Sequence, residues 1–164
     1  MFSQSSRRRT PDAREHMQSA RAALADVAEN SFFAFVDPVG DAAFQALAVE
    51  VPVWLRASVR FDGAFGGWMH VVLSEPLALD LYTAFLGLEP GDTPRDESLF
   101  DLVGEFGNMV CGLWLTRVCQ RRRFDLKRPE VSRLDALPAG PVAGAVLASI
   151  NGHAAQVHLA FSEA

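Results

Sequence analysis

The chain is poor in the residues that build covalent or metal-based frameworks. It has only two cysteines, Cys111 and Cys119. They stand eight residues apart on one predicted helix, about 12 Å along its axis, too far for a disulfide. Free thiols point to a reducing compartment, the cytoplasm. The four histidines, His16, His70, His153 and His158, have no metal-ligand spacing with one another or with the cysteines, so no metal site is expected. A basic excess is also missing. The formal net charge of -5 excludes an ordinary nucleic-acid groove and suits docking onto a basic patch of another protein. No apolar run reaches the length of a membrane span, even around Leu77 to Leu88. Nothing of signal-peptide character follows Arg7-Arg8-Arg9, so residues 1–11 read as a flexible tail.

What is present suffices for one globular domain, expected over residues 12–164. Hydrophobic residues make up 49% of the 164 and charged residues 21%, enough to bury a single core without long disorder. A first helix is predicted from Asp12 to Asn30, with Met17, Ala20, Leu24, Val27 and Ala28 on its apolar face. Ser31 to Gly40, broken by Asp37-Pro38, reads as a loop or short strand. Alternation of Leu55, Ala57, Val59 and Phe61 marks a half-buried strand, and Asp62-Gly63 and Gly66-Gly67 turn the chain into a second, Trp68 to Leu73. Trp54 and Trp68 are expected to stack across this hairpin. Ser74-Glu75-Pro76 opens a short helix that Gly87 stops. A long helix follows from about Pro94, capped by the Asp92–Asp96 stretch, to about Arg121, with Trp114 in the core and Arg121-Arg122-Arg123 at its C-terminal dipole. Val142 to Ile150 and Ala155 to Phe161 alternate about Asn151-Gly152, the pair a type I′ turn demands. The order helix, hairpin, short helix, long helix, hairpin repeats a unit. It predicts an α+β domain of duplicated helix–β-hairpin units, with two long helices packed on an antiparallel sheet.

The chemistry lies in the long helix. Asp101, Glu105, Asn108 and Gly112 fall within a stripe of roughly 60° at helical spacing. Leu99, Leu102, Val103, Phe106, Met109, Val110 and Leu113 crowd the other side. Gly104, Gly107 and Gly112 each cost a helix about 1 kcal/mol relative to alanine, which implies a close approach; packing of the first helix on Gly104 and Gly107 is expected. Without context such a stripe is a solvated face. The Asp101–Glu105 pair has the chemistry of a glycosidase acid and nucleophile, but no sugar groove is legible.

The pattern Asp101-x3-Glu105-x2-Asn108 inside a repeated helix–hairpin unit resembles the CheC/CheX/FliY family of chemotaxis phosphatases, and the chain is most similar to its CheX-type members. The likeness runs from about Leu24 to Phe161 and includes Asp62-Gly63, Gly66-Gly67 and Glu105-Phe-Gly-Asn108-Met. Pro129, 21 positions after Asn108, matches the family's proline beyond the helix at a slightly shorter spacing. Superposing the first helix on the second sets Asp26 against Glu105 and Glu29 against Asn108, so the first half lacks a Glu-x-x-Asn pair. CheC-like members carry two pairs and CheX-like members one, which implies a single site here. The resemblance implies a fold shared with the FliM middle domain and a homodimer formed through sheet edges. It also implies hydrolysis of the aspartyl phosphate of a CheY-like response regulator. Asn108 would position the attacking water and Glu105 would pair with the regulator's lysine. Asp101, Gly104, Gly112 and Pro129 would contact the partner, and the required Mg²⁺ would belong to the regulator, this chain having no cofactor of its own. The rival expectation is a non-catalytic module that recognises a receiver domain or a flagellar-motor component.

Overall fold

The computed structural model describes residues 12–89, 91–138 and 144–162. The Arg7–Arg9 run and Val142 lie outside them. Among the described residues the chain runs α1 (Ala13–Phe32), β1 (Val36–Pro38), α2 (Asp41–Ala48), β2 (Trp54–Asp62), β3 (Gly67–Ser74), α3 (Glu75–Leu86), α4 (Asp96–Val118), β4 (Asp125–Leu126), β5 (Glu130–Leu134), β6 (Ala145–Ile150) and β7 (His153–Phe161). No helix among the described residues is long and apolar enough to cross a membrane.

Local chemistry explains most of the boundaries. Asp12 caps α1 by accepting from the Arg14 amide. Ser74 caps α3 by accepting from the Leu77 amide, and Gly87, at φ 62°, ends that helix in the left-handed region. The β6–β7 turn carries Asn151 at φ 51° and Gly152 at φ 79°, the two positive values of a type I′ hairpin. The long helix departs from expectation at both ends. It starts at Asp96, two residues after Pro94, behind Arg95, which gives no side-chain cap. It ends at Val118, so Arg121–Arg123 lie beyond the last turn and Arg117 is the base that meets the C-terminal dipole.

All strand pairs are antiparallel, in the order β1-β6-β7-β3-β2-β4, with β5 also paired to β2. The duplication is interleaved. β1 follows α1 yet pairs with the second hairpin, Val36 opposite Ile150, and β5 follows α4 yet pairs with the first, Trp54 opposite Leu134. The helices α1, α3 and α4 cover one face of the sheet. The main core lies beneath them, with Leu24, Phe32, Phe61, Phe106 and Trp114 almost fully buried. The short helix α2, which has no side-chain cap and no marked sequence signal, covers part of the other face. There Phe44 and Ala48 pack with Trp54, Val72, Leu147 and Ala154. This second cluster buries Trp54 away from Trp68. Their backbones lie opposite Ser74 and Arg60, and Trp68 stacks instead on His70 at 6.2 Å between ring centroids, so the two tryptophans do not meet.

Gly107 fixes how α4 sits on the sheet. A Cβ there would lie 2.7 Å from the Ala57 Cβ on β2, closer than two methyl carbons can approach. Gly104 faces β5, where a Cβ would meet Val131 Cγ2 at 3.3 Å and Pro129 Cβ at 3.5 Å. The expected role of these glycines against α1 is therefore corrected: they admit the sheet and its edge strand.

His16, 3% exposed, sits among the rings of Phe65, Trp114 and Phe161 with neither ring nitrogen hydrogen-bonded. Burial pushes its pKa down against the opposing pull of Glu15 and Asp12. On the other face of the sheet His70 and His158 are cross-strand neighbours, and Ser58 Oγ lies 2.8 Å from His70 Nδ1. Burial lowers both of these values too, helped at His70 by Arg56 and His158.

Two outcomes follow from this packing. The unfolded chain takes up protons at these histidines near pH 6.5 while the folded chain resists until lower pH. Unfolding therefore gains protons in that window, and stability falls as pH drops below about 6.5. Thermal melts between pH 7.5 and 5 should show that loss, reduced in His16→Leu. Gly107→Ala should lower the melting temperature, because overpacking costs about 1–3 kcal/mol against a helix-propensity gain of about 1 kcal/mol. Gly112→Ala, where the nearest atom is Leu126 Cδ1 at 3.7 Å, should raise it.

Candidate functional site

With Gly107 turned onto the sheet, helix geometry sends Asp101, Glu105 and Asn108 to the far side of α4. Asp101 and Glu105 are exposed and Asn108 is half-buried. Among the described residues none of the three side chains makes a hydrogen bond or ion pair. Two carboxylates and a carboxamide thus stand ready for groups from outside the molecule.

Beside them lies an open groove of about 410 Å³ between α4 and the segment leading into β5. Phe100, Asp101, Gly104 and Glu105 form its helical side, and Arg128, Pro129 and Val131 the other. Asp101, Gly104, Glu105 and Pro129 are therefore brought together, as the sequence pattern proposes. Asn108 continues the same helical stripe one turn beyond Glu105. Gly112 does not join them. It borders a separate depression with Leu115, Thr116, Gln120, Arg122 and Leu126.

The start of α4 has no capping side chain, and an arginine of β5 holds it instead. The guanidinium of Arg133 meets Asp96 through both nitrogens, Nη1 to Oδ2 at 3.3 Å and Nη2 to Oδ1 at 3.2 Å. It reaches Glu75 Oε2 at the start of α3 at 3.4 Å and lies 5.4 Å from the centre of the Phe100 ring. The hydrogen bond and charge of Arg133 hold the Asp96 carboxyl below its usual pKa. One residue thus ties the helix that carries the stripe to α3 and to the edge of the sheet. Arg128, Arg133 and Phe100 are absent from the sequence reading. The only sign of them there is Pro129, which marks where the chain returns to α4.

The first half has a counterpart groove of about 310 Å³ along α1 and β1. At the same offset that pairs Asp26 with Glu105, Ala22 and Ala25 stand where α4 has Asp101 and Gly104, and both line this groove with Val36 and Pro38. Asp26 is engaged in an ion pair with Arg117 of α4. Of this pair of related grooves, the one along α4 is lined by the uncommitted acids Asp101 and Glu105, and Asn108 stands one turn beyond it.

Comparison with known proteins agrees with this architecture. The sequence model of a family described as chemotaxis phosphatase CheX matches residues 55–153. No curated protein matches the chain. Among solved structures, a chemotaxis protein CheX from Vibrio vulnificus aligns with TM-score 0.69 at 20% identity, over 93% of this chain and 100% of its own. A CheX from Desulfovibrio desulfuricans aligns with TM-score 0.70 at 18% identity, over 90% and 99%. The CheX–CheY–BeF3–Mg²⁺ complex from Borrelia burgdorferi aligns with TM-score 0.57 at 17% identity, over 93% and 99%.

Because the stripe holds nothing inside the molecule together, Asp101→Ala, Glu105→Ala and Asn108→Ala should each leave the melting temperature within about 2 °C of the parent, as surface substitutions do. Scanning calorimetry checks this. A large fall would mean that the residue supports the fold.

Proposed function

Since the chain belongs to the chemotaxis phosphatase CheX family, we propose that it hydrolyses the aspartyl phosphate of a CheY-like response regulator. The observation that carries this reading is the pairing of Glu105 and Asn108 on the outward side of a rigid helix, with no partner for either side chain among the described residues. That a CheX from Borrelia burgdorferi was crystallised with CheY, BeF3 and Mg²⁺ supports a receiver domain as the partner.

An acyl phosphate is already activated, and phosphoryl transfer depends mainly on positioning and charge stabilisation. A carboxamide is enough for the first task. Asn108 enters the regulator's phosphate pocket and its amide holds a water in line with phosphorus. Attack of that water breaks the bond between phosphorus and the acyl oxygen. Inorganic phosphate leaves and the regulator's aspartate carboxylate is regenerated. Glu105, three residues earlier and about 4.5 Å along the helix axis, pairs with the regulator's lysine and fixes the depth to which Asn108 penetrates. The Mg²⁺ that balances phosphate charge is the regulator's. A substrate of this kind sets the protein in the cytoplasm. The homodimer read from the family resemblance belongs to the same proposal.

Phosphate release from a phosphorylated regulator tests the assignment. Asn108→Ala should lower kcat about 100-fold with little change in KM, the scale expected when a positioning contact is lost. Glu105→Ala should act chiefly on KM, because stripping one partner from a buried charge pair costs about 2–5 kcal/mol. Equal rates for parent and Asn108→Ala would end the assignment of Asn108. Binding without any acceleration of phosphate loss would favour the non-catalytic module.

A further inference from the structure

The groove beside Glu105 is charged on both sides, and only its anionic side enters the reading above. Arg128 is exposed on the opposite wall. Among the described residues it makes no ion pair within 4 Å, with Asp101, Glu105 or any other acid. Nearby charged side chains behave differently: Arg133 is held by Asp96 and Glu75, Lys127 by Asp125, and Arg60 by Asp62. Between the walls the surface is small and apolar, formed by Gly104, Pro129 and Val131.

Resting on the phosphatase reading, we infer that Arg128 is a specificity-determining residue, which selects a regulator carrying a carboxylate beside its phosphorylation pocket. Asn108 and Glu105 enter that pocket from one end of the groove. A part of the partner that continues along α4 toward the start of the helix passes over Gly104 toward Asp101. An element that fits has a cation against the acidic wall, a small or aliphatic side chain on the Gly104–Pro129–Val131 floor, and an aspartate or glutamate against Arg128. Charge complementarity favours this occupant. A surface of uniformly basic character would satisfy Glu105 and Asp101 but set like charges against Arg128, and such juxtaposition disfavours wrong partners. A carboxylate also accepts both nitrogens of a guanidinium in parallel, which a lysine cannot reproduce.

The test is a binding measurement, so it does not depend on turnover. Receiver domains from the same organism, activated with beryllofluoride and Mg²⁺, are titrated against the full chain and its variants by calorimetry at two salt concentrations. For the regulator that the parent binds, Arg128→Glu should weaken affinity at least about tenfold and Arg128→Lys about threefold. Arg128→Glu should also flatten the salt dependence. Changing one carboxylate on the regulator to lysine should restore binding to Arg128→Glu while weakening binding to the parent. Circular dichroism and melting should be unchanged in both variants, since Arg128 holds no internal partner. If Arg128→Glu binds as the parent does, or if no regulator carboxylate restores it, Arg128 has no such role and the phosphatase reading stands. If the parent binds no activated receiver domain, the phosphatase reading falls and takes this inference with it.

Discussion

A missing side-chain carbon at Gly107 sets the orientation on which the site depends. Because the α4 backbone there rests against the Ala57 methyl, the helix can neither lift from β2 nor roll about its axis without opening the core around Phe61, Phe106 and Trp114. That contact determines which side of α4 faces outward. The acid, acid, carboxamide sequence at 101, 105 and 108 acquires meaning only from that rotational setting. Gly104 acts similarly one turn away, allowing Val131 and Pro129 to come close enough to form the groove. A helix so rich in glycine is intrinsically weak, and its stability comes from packing on a sheet that accepts it closely.

The two halves of the molecule have used one plan for different ends. Both long helices lie over the same sheet and each has a groove alongside. In the first, Asp26 is paired with Arg117 and the neighbouring positions are alanine. In the second, the acids are unpaired and the floor is glycine. The difference is one of commitment: an acid already satisfied by an arginine within its own molecule has little to offer a second protein. Arg133 has the opposite task of tying together the half that carries the stripe, linking two helix starts and an edge strand through one planar group.

Much of this was legible before any coordinates, and the rest was hidden for identifiable reasons. The 3.6-residue spacing of Asp101, Glu105 and Asn108 within an apolar segment announced both the helix and its polar side, and Asn151-Gly152 announced the second hairpin. The short helix α2 escaped notice because eight residues with a glycine cap carry little periodic signal. The strand β5 escaped because five residues reading Glu-Val-Ser-Arg-Leu alternate too briefly to stand out. Those two omissions had consequences. It is α2 that completes the cluster covering Trp54 in place of Trp68, and only the return of the chain through β5 brings Arg128 and Arg133 to α4. Residues assembled by tertiary approach leave no local trace, whereas residues set by one helix do.

The exchange of strands between the halves bears on how the protein is made. Val36 cannot find its sheet partner until Ile150 has been synthesised, and Trp54 waits for Leu134. During translation β1 and one side of β2 therefore stay unsatisfied until the second hairpin and β5 have emerged. Such late, long-range closure slows folding and leaves strand edges open to aggregation meanwhile. It also means that neither half is a self-sufficient module that could be cut out and passed to another gene.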